Sequence, residues 1–105
     1  MTHPRAFLEE EKFAAAVRKV EQQLGRHVLR IRHTVDEDST GDPAVHFRIV
    51  LPDESVRREK ILEAARYVSY EIERNLQPQV RWGVNPYFLY RSKSEQETIQ
   101  EPAWA

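Results

Sequence analysis

Cysteine is missing from all 105 positions, so neither a disulfide nor a thiolate metal site can form, and the composition suits a reducing cytosol. Long apolar runs are missing as well. Nothing approaches the roughly 20 residues of a membrane-spanning helix, and Met1 to Arg5 has no apolar stretch behind it of the kind a signal peptide carries. Charge of one sign is not in excess: 16 basic side chains face 17 acidic ones, so any polyanion site must be a local patch rather than a property of the whole surface. Glycine is scarce. None of Gly25, Gly41 and Gly83 sits in a phosphate-cradling motif, and no serine or threonine stands in a nucleophile elbow. These absences predict a single soluble cytoplasmic domain over residues 1–105 that is not an enzyme and takes no cofactor and no metal.

What is present is organised around residues 42–77. Val45, Phe47, Ile49 and Leu51 alternate with Ala44, His46, Arg48 and Val50, the period of a strand with one core-facing side. After the turn Pro52-Asp53-Glu54-Ser55, the residues Ile61, Ala65, Val68, Ile72 and Leu76 fall on one helical stripe, which predicts a helix from about Ser55 to Gln77. Asp53 or Ser55 would cap it, Glu54 and Glu59 would favour its positive end, and Pro78 would stop it.

Upstream, Pro4 behind Thr2 and His3 reads as a helix start and Gly25 as its exit, with Phe13, Val17, Val20 and Leu24 facing the core. Arg26 to Val35 alternates as a strand, with Leu29, Ile31 and Val35 inward, and pairs through the loop 36–43 as an antiparallel hairpin. That loop has oxygen donors at alternate positions and a glycine sixth, as a calcium loop does, but its twelfth position is Phe47 where a glutamate is needed, so it reads as a solvated hairpin loop. Downstream, Val80 to Trp82 reads as extended and Val84 to Arg91 as a third strand. Two overlapping capping boxes, Ser92-x-x-Glu95 and Ser94-x-x-Glu97, predict a short helix within a docking segment, 92–105, that Ile99 and Trp104 would anchor. The expected fold is α+β, a two-layer α-β-β-α-β sandwich with a three-stranded, mainly antiparallel sheet and both long helices on one face.

Two surfaces are candidates for function. Alternation gathers Arg30, Arg32, His46 and Arg48 on the sheet face turned from the helices, beside Tyr87 or Tyr90; basic groups could hold phosphates there and aromatics stack bases. The same face could equally be a solvated one, or be covered by the C-terminal segment. The second candidate is the aromatic last quarter, Trp82, Tyr87, Tyr90, Arg91 and Trp104, the residue types that protein interfaces prefer and that a thin sheet does not readily bury in full. The histidines show no ligand spacing, because alternation puts His33 and His46 on opposite faces of the hairpin.

The α-β-β-α-β order resembles the type II KH domain, without a Gly-x-x-Gly break, since Ser55 to Gln77 contains no glycine. The stretches Ser39-Thr40-Gly41-Asp42-Pro43-Ala44-Val45-His46-Phe47-Arg48-Ile49-Val50-Leu51 and Tyr87-Phe88-Leu89-Tyr90-Arg91-Ser92-Lys93-Ser94-Glu95-Gln96 are similar to an uncharacterised group of small bacterial proteins. That resemblance implies a neighbouring HEPN-type gene and a paired, toxin-antitoxin-like arrangement. The expected function is therefore binding of another macromolecule, a protein partner or a second copy first, with RNA binding on the basic sheet face as the alternative.

Overall fold

A computed structural model describes residues 3–57 and 60–105. Short α1 (Arg5–Leu8) and long α2 (Glu10–Leu24) lead into β1 (Arg30–Glu37) and β2 (Pro43–Leu51). Then come α3 (Lys60–Leu76), α4 (Pro78–Trp82), β3 (Asn85–Ser92), α5 (Lys93–Ile99) and a 3-10 turn, Pro102–Trp104. The helix-strand-strand-helix-strand order is the expected one. The sheet runs β1-β2-β3, with β1 antiparallel and β3 parallel to the central strand, so it is mixed rather than mainly antiparallel. The parallel pairing follows from connectivity: α3 and α4 carry the chain back along the sheet, so β3 leaves in the direction β2 had taken.

Val45, Phe47, Ile49 and Leu51 of β2 are wholly buried beneath the helices. Phe13, Val17, Val20 and Leu24 meet them from α2, and Val68, Ile72 and Leu76 from α3. Burying a side chain of Phe47's size is worth about 1.5–3 kcal/mol, so this layer dominates the fold's stability. No helix among the described residues is long and apolar enough to cross a membrane.

Several local expectations are corrected. The first helix breaks at Glu9, whose φ of −122° and ψ of 56° are not helical; its carboxylate pairs with Arg5 and Lys12 across the break. Gly25–His27 form a 3-10 turn before β1, which shifts the phase of alternation, so Val28 is buried and Leu29 exposed, the reverse of the strand reading. The long helix begins at Lys60, behind a 3-10 turn over Asp53–Val56. Asp53 does not cap it but accepts hydrogen bonds from the main chain and hydroxyl of Ser94, at 3.0 and 2.5 Å, at the start of α5. Glu59 and Thr2, to which helix-end roles were assigned, lie outside the described residues. Val80 to Trp82 is helical rather than extended, because Pro78 at the first helical position restarts a turn after Gln77 has swung into the left-handed region. Of the two capping boxes only Ser92 with Glu95 forms, both bonds being present.

Gly83 ends α4 at φ 70°, and a β-carbon there would stand 3.1 Å from that of Pro4. Gly83→Ala combines left-handed strain with a tight contact, so it should lower stability by about 1–2 kcal/mol in urea unfolding.

Candidate macromolecule-binding face

The outward sheet face is set by register. Arg30, Arg32, Thr34 and Asp36 of β1 stand beside Val50, Arg48, His46 and Ala44 of β2, which neighbour Arg91, Leu89, Tyr87 and Asn85 of β3. The expected cluster of Arg30, Arg32, His46 and Arg48 is therefore assembled, with Tyr87 as its aromatic. Tyr90 is not part of it. Tyr87 and Tyr90 are three residues apart in one strand, and odd separations put side chains on opposite faces.

The arginine half of this face is covered by the chain's own last residues. Arg48 Nε donates to the Ala103 carbonyl at 2.8 Å, Arg30 Nε to that of Trp104 at 2.7 Å, and Arg32 Nε to an oxygen of Ala105, the last residue, at 2.6 Å. Trp104 is 5% exposed, and the guanidinium of Arg91 lies over its ring at 4.3 Å. Arg91 also donates to Gln96 at 3.2 Å and to Glu101 at 2.7 Å, and buried Gln96 returns a bond to the Glu101 carbonyl at 3.0 Å. The Ser92 cap and the Asp53–Ser94 bonds fix α5, and α5 in turn aims the following turn onto β2.

The other half remains open. His46 Nδ1 stands 2.9 Å from Asp36 Oδ1, and its ring stacks on Tyr87 with centroids 5.3 Å apart and planes 18° apart. The Tyr87 hydroxyl donates to Asp38 at 2.9 Å. Asp38 also accepts from the Thr40 hydroxyl and from the main chain of Asp42 and Thr40, and the Thr40 and Tyr87 hydroxyls, then those main-chain donors, hold its carboxyl down at about 2. The loop that resembled a calcium site thus directs this carboxylate inward to tie its own turn to the aromatic pair. Among the described residues no three His, Asp or Glu side chains converge as metal ligands.

The aromatic candidates separate by depth. Trp82 is buried in the core, edge-on to Phe13 with centroids 5.0 Å apart, and Arg5 covers its ring. Tyr90 points into the helix layer, sharing a hydrogen bond with Ser69 and donating to the Ala65 carbonyl at 3.0 Å; burial pushes its hydroxyl up to about 12. Trp104 and Arg91 are occupied with each other. Only Tyr87, 42% exposed, is presented to solvent, and beside it stands Leu89, 51% exposed, which sequence reasoning passed over. The signal was available, since Tyr87, Leu89 and Arg91 share one parity along β3.

Compared with protein-family profiles, curated proteins and solved structures, the chain shows no match. The site must be read from its own geometry.

On the helix side, a cleft of about 340 Å³ opens between α1, α2 and β1, lined by Glu10, Glu11, Phe13, His33 and Val35 among others. His33 is half-buried there, edge-on to Phe13 at 5.3 Å. Burial, and then the charges of Arg48 and Arg18, lower its pKa from the ordinary 6.5. The unfolded chain therefore takes up this proton at higher pH than the folded chain. The stabilising contribution is full above about pH 6.5 and is lost as pH falls through the lowered folded value. Thermal melts from about pH 7.5 down to about pH 5 should show that decline, and His33→Phe should flatten it.

Proposed function

We propose that the protein is a non-enzymatic, cytoplasmic macromolecule-binding protein, and specifically the protein-interaction member of an operon-encoded, toxin-antitoxin-like pair. The observation that carries this reading is the unprotected edge of β3. With β2 on one side, β3 has no ladder partner on the other among the described residues, and from Pro86 to Tyr90 it carries no charge. The opposite edge is different: β1 offers Arg30, Arg32, Asp36 and Glu37 along its length. Natural sheets blunt free edges with charge, bulges or coverage, and an uncharged edge flanked by exposed apolar side chains suits a partner that adds a strand.

Tyr87 and Leu89 give such a partner a side-chain handle beside the backbone, and Val80, 86% exposed just upstream, extends the apolar border. Aromatic and aliphatic anchors near the centre of a contact supply most of its binding energy. The resemblance of residues 39–51 and 87–96 to the paired bacterial group supports a protein, rather than a small molecule, as the partner.

The test is a tagged pull-down from native cells, comparing the wild type with Leu89→Lys and Arg48→Glu. A charge at Leu89 should remove a stoichiometric partner, a loss of about 2 kcal/mol or more for an anchor position, while leaving the melting curve nearly unchanged. Arg48→Glu, on the covered half of the face, should retain it. Equal capture by Leu89→Lys would place the contact away from the β3 edge and overturn this reading.

A further inference from the structure

Arg32 and Arg48 are direct cross-strand partners, and Arg30 is two residues along β1, about 6.6 Å away on the same face. Like charges placed directly opposite in a sheet are destabilising, so the arrangement asks for a counter-charge. Among the described residues Arg30 and Arg48 make no ion pair, and the acidic side chain near Arg32 is Glu21 at 3.9 Å, which already accepts from the Ile31 main chain at 2.6 Å.

Instead, neutral carbonyls accept from Nε of Arg30 and Arg48, while Arg32 Nε donates to an oxygen of Ala105, the last residue. A peptide carbonyl satisfies a donor but brings no charge, so the charge of Arg30 and Arg48 stays uncompensated beneath the covering segment. The guanidinium groups are also incompletely used. Arg30 spends only Nε, Arg32 adds one bond to the Ile31 carbonyl at 3.3 Å, and Arg48 adds one to the Thr34 hydroxyl at 2.8 Å. Each keeps terminal nitrogens in the fork geometry that grips a phosphate.

We infer that the Arg30–Arg32–Arg48 face is a binding site for single-stranded nucleic acid that residues 101–105 cover in the free protein. Phosphates replace these acceptors and supply the charge that Arg30 and Arg48 lack. The stacked His46–Tyr87 pair, next to Arg48 on the same face, supplies a flat platform for a base, which an acidic peptide would leave unused. The cover is held chiefly by Trp104 and by the Arg91–Glu101 pair at 2.7 Å, so loosening either exposes the site without touching the arginines. This inference shares Tyr87 with the β3 edge but does not require a partner that adds a strand there.

The experiment is fluorescence anisotropy of a labelled oligouridylate of about 16 nucleotides, the upper site size of one such surface, against the full chain at low salt. Trp104→Ala should bind about tenfold tighter than the wild type, the gain expected when a cover closed nine-tenths of the time is removed. Three phosphate contacts should give a salt slope of about −2. Adding Arg48→Glu to Trp104→Ala should abolish the gain.

Circular dichroism checks that each variant is folded. If Trp104→Ala is not, Glu101→Gln, which releases Arg91 without emptying a buried site, should raise affinity in the same direction. A folded opened variant that binds no tighter than the wild type overturns the inference. So does a gain that survives Arg48→Glu, or one that polyglutamate competes away as effectively as RNA, since the face would then recognise an acidic chain rather than a nucleic acid.

Discussion

Strand β2 is hydrogen-bonded along both edges, sealed on one face by the helices and buried at Ala44 and Val50 on the other, and that burial constrains everything around it. Val45, Phe47, Ile49 and Leu51 are sealed by the helix layer, while Ala44 and Val50 on the other face are buried as well. Because the side-chain period of a strand is two, slipping β2 by one residue would drive His46 and Arg48 into the core and lift Phe47 and Ile49 out of it. The register of β1 and β3 is thereby fixed, and with it the identity of each residue on the outer face. The arginine cluster and the His46–Tyr87 stack are consequences of β2 having one admissible phase.

The same parity explains what could be read from sequence and what could not. The gathering of Arg30, Arg32, His46 and Arg48, and the separation of His33 from His46, follow from alternation alone and are found. Leu29 fails because a 3-10 turn, Gly25–His27, interrupts the strand and resets the count, and nothing in the alternation of Arg26 to Val35 marks where it begins. Val80 to Trp82 fails for a related reason: five residues between a proline and a glycine hold too little periodicity to distinguish one helical turn from an extended run. The parallel β3 depends on long-range geometry that no local pattern encodes; so do the acceptors that the expected docking segment presents to the arginines, and of its two expected anchors Trp104 is buried while Ile99 is 49% exposed. The Ser92 capping box was legible because it is a local bond with a fixed spacing, whereas Asp53, with equal capping chemistry, is claimed by Ser94, 41 residues away.

The sheet's outer face and its β3 edge are coupled through Arg91. This residue ends the uncharged run of β3, and its guanidinium also closes over Trp104 and binds Glu101. A carboxylate and an aromatic face both stabilise a guanidinium, so Arg91 is held at the junction between the covered and open halves. Its side chain is only 17% exposed and that of Glu101 52%, so the pair is more protected than an ordinary surface ion pair on one side and fully reachable by solvent on the other.

The contrast between Arg91 and the other three arginines gives the face its character. Arg91 has its counter-charge, its stacking partner and two side-chain acceptors, which is the arrangement expected where the only task is to hold a fold together. Arg30 and Arg48 have neutral carbonyls alone on the side of residues 101–105, and a serine or asparagine could donate to a carbonyl without setting two like charges opposite each other. Structural need accounts for Arg91 and leaves the charge of Arg30 and Arg48 unexplained. Under the proposed nucleic-acid site, a ligand with its own negative charge along an extended chain would resolve that surplus, and the indole of Trp104 is the group it would have to displace.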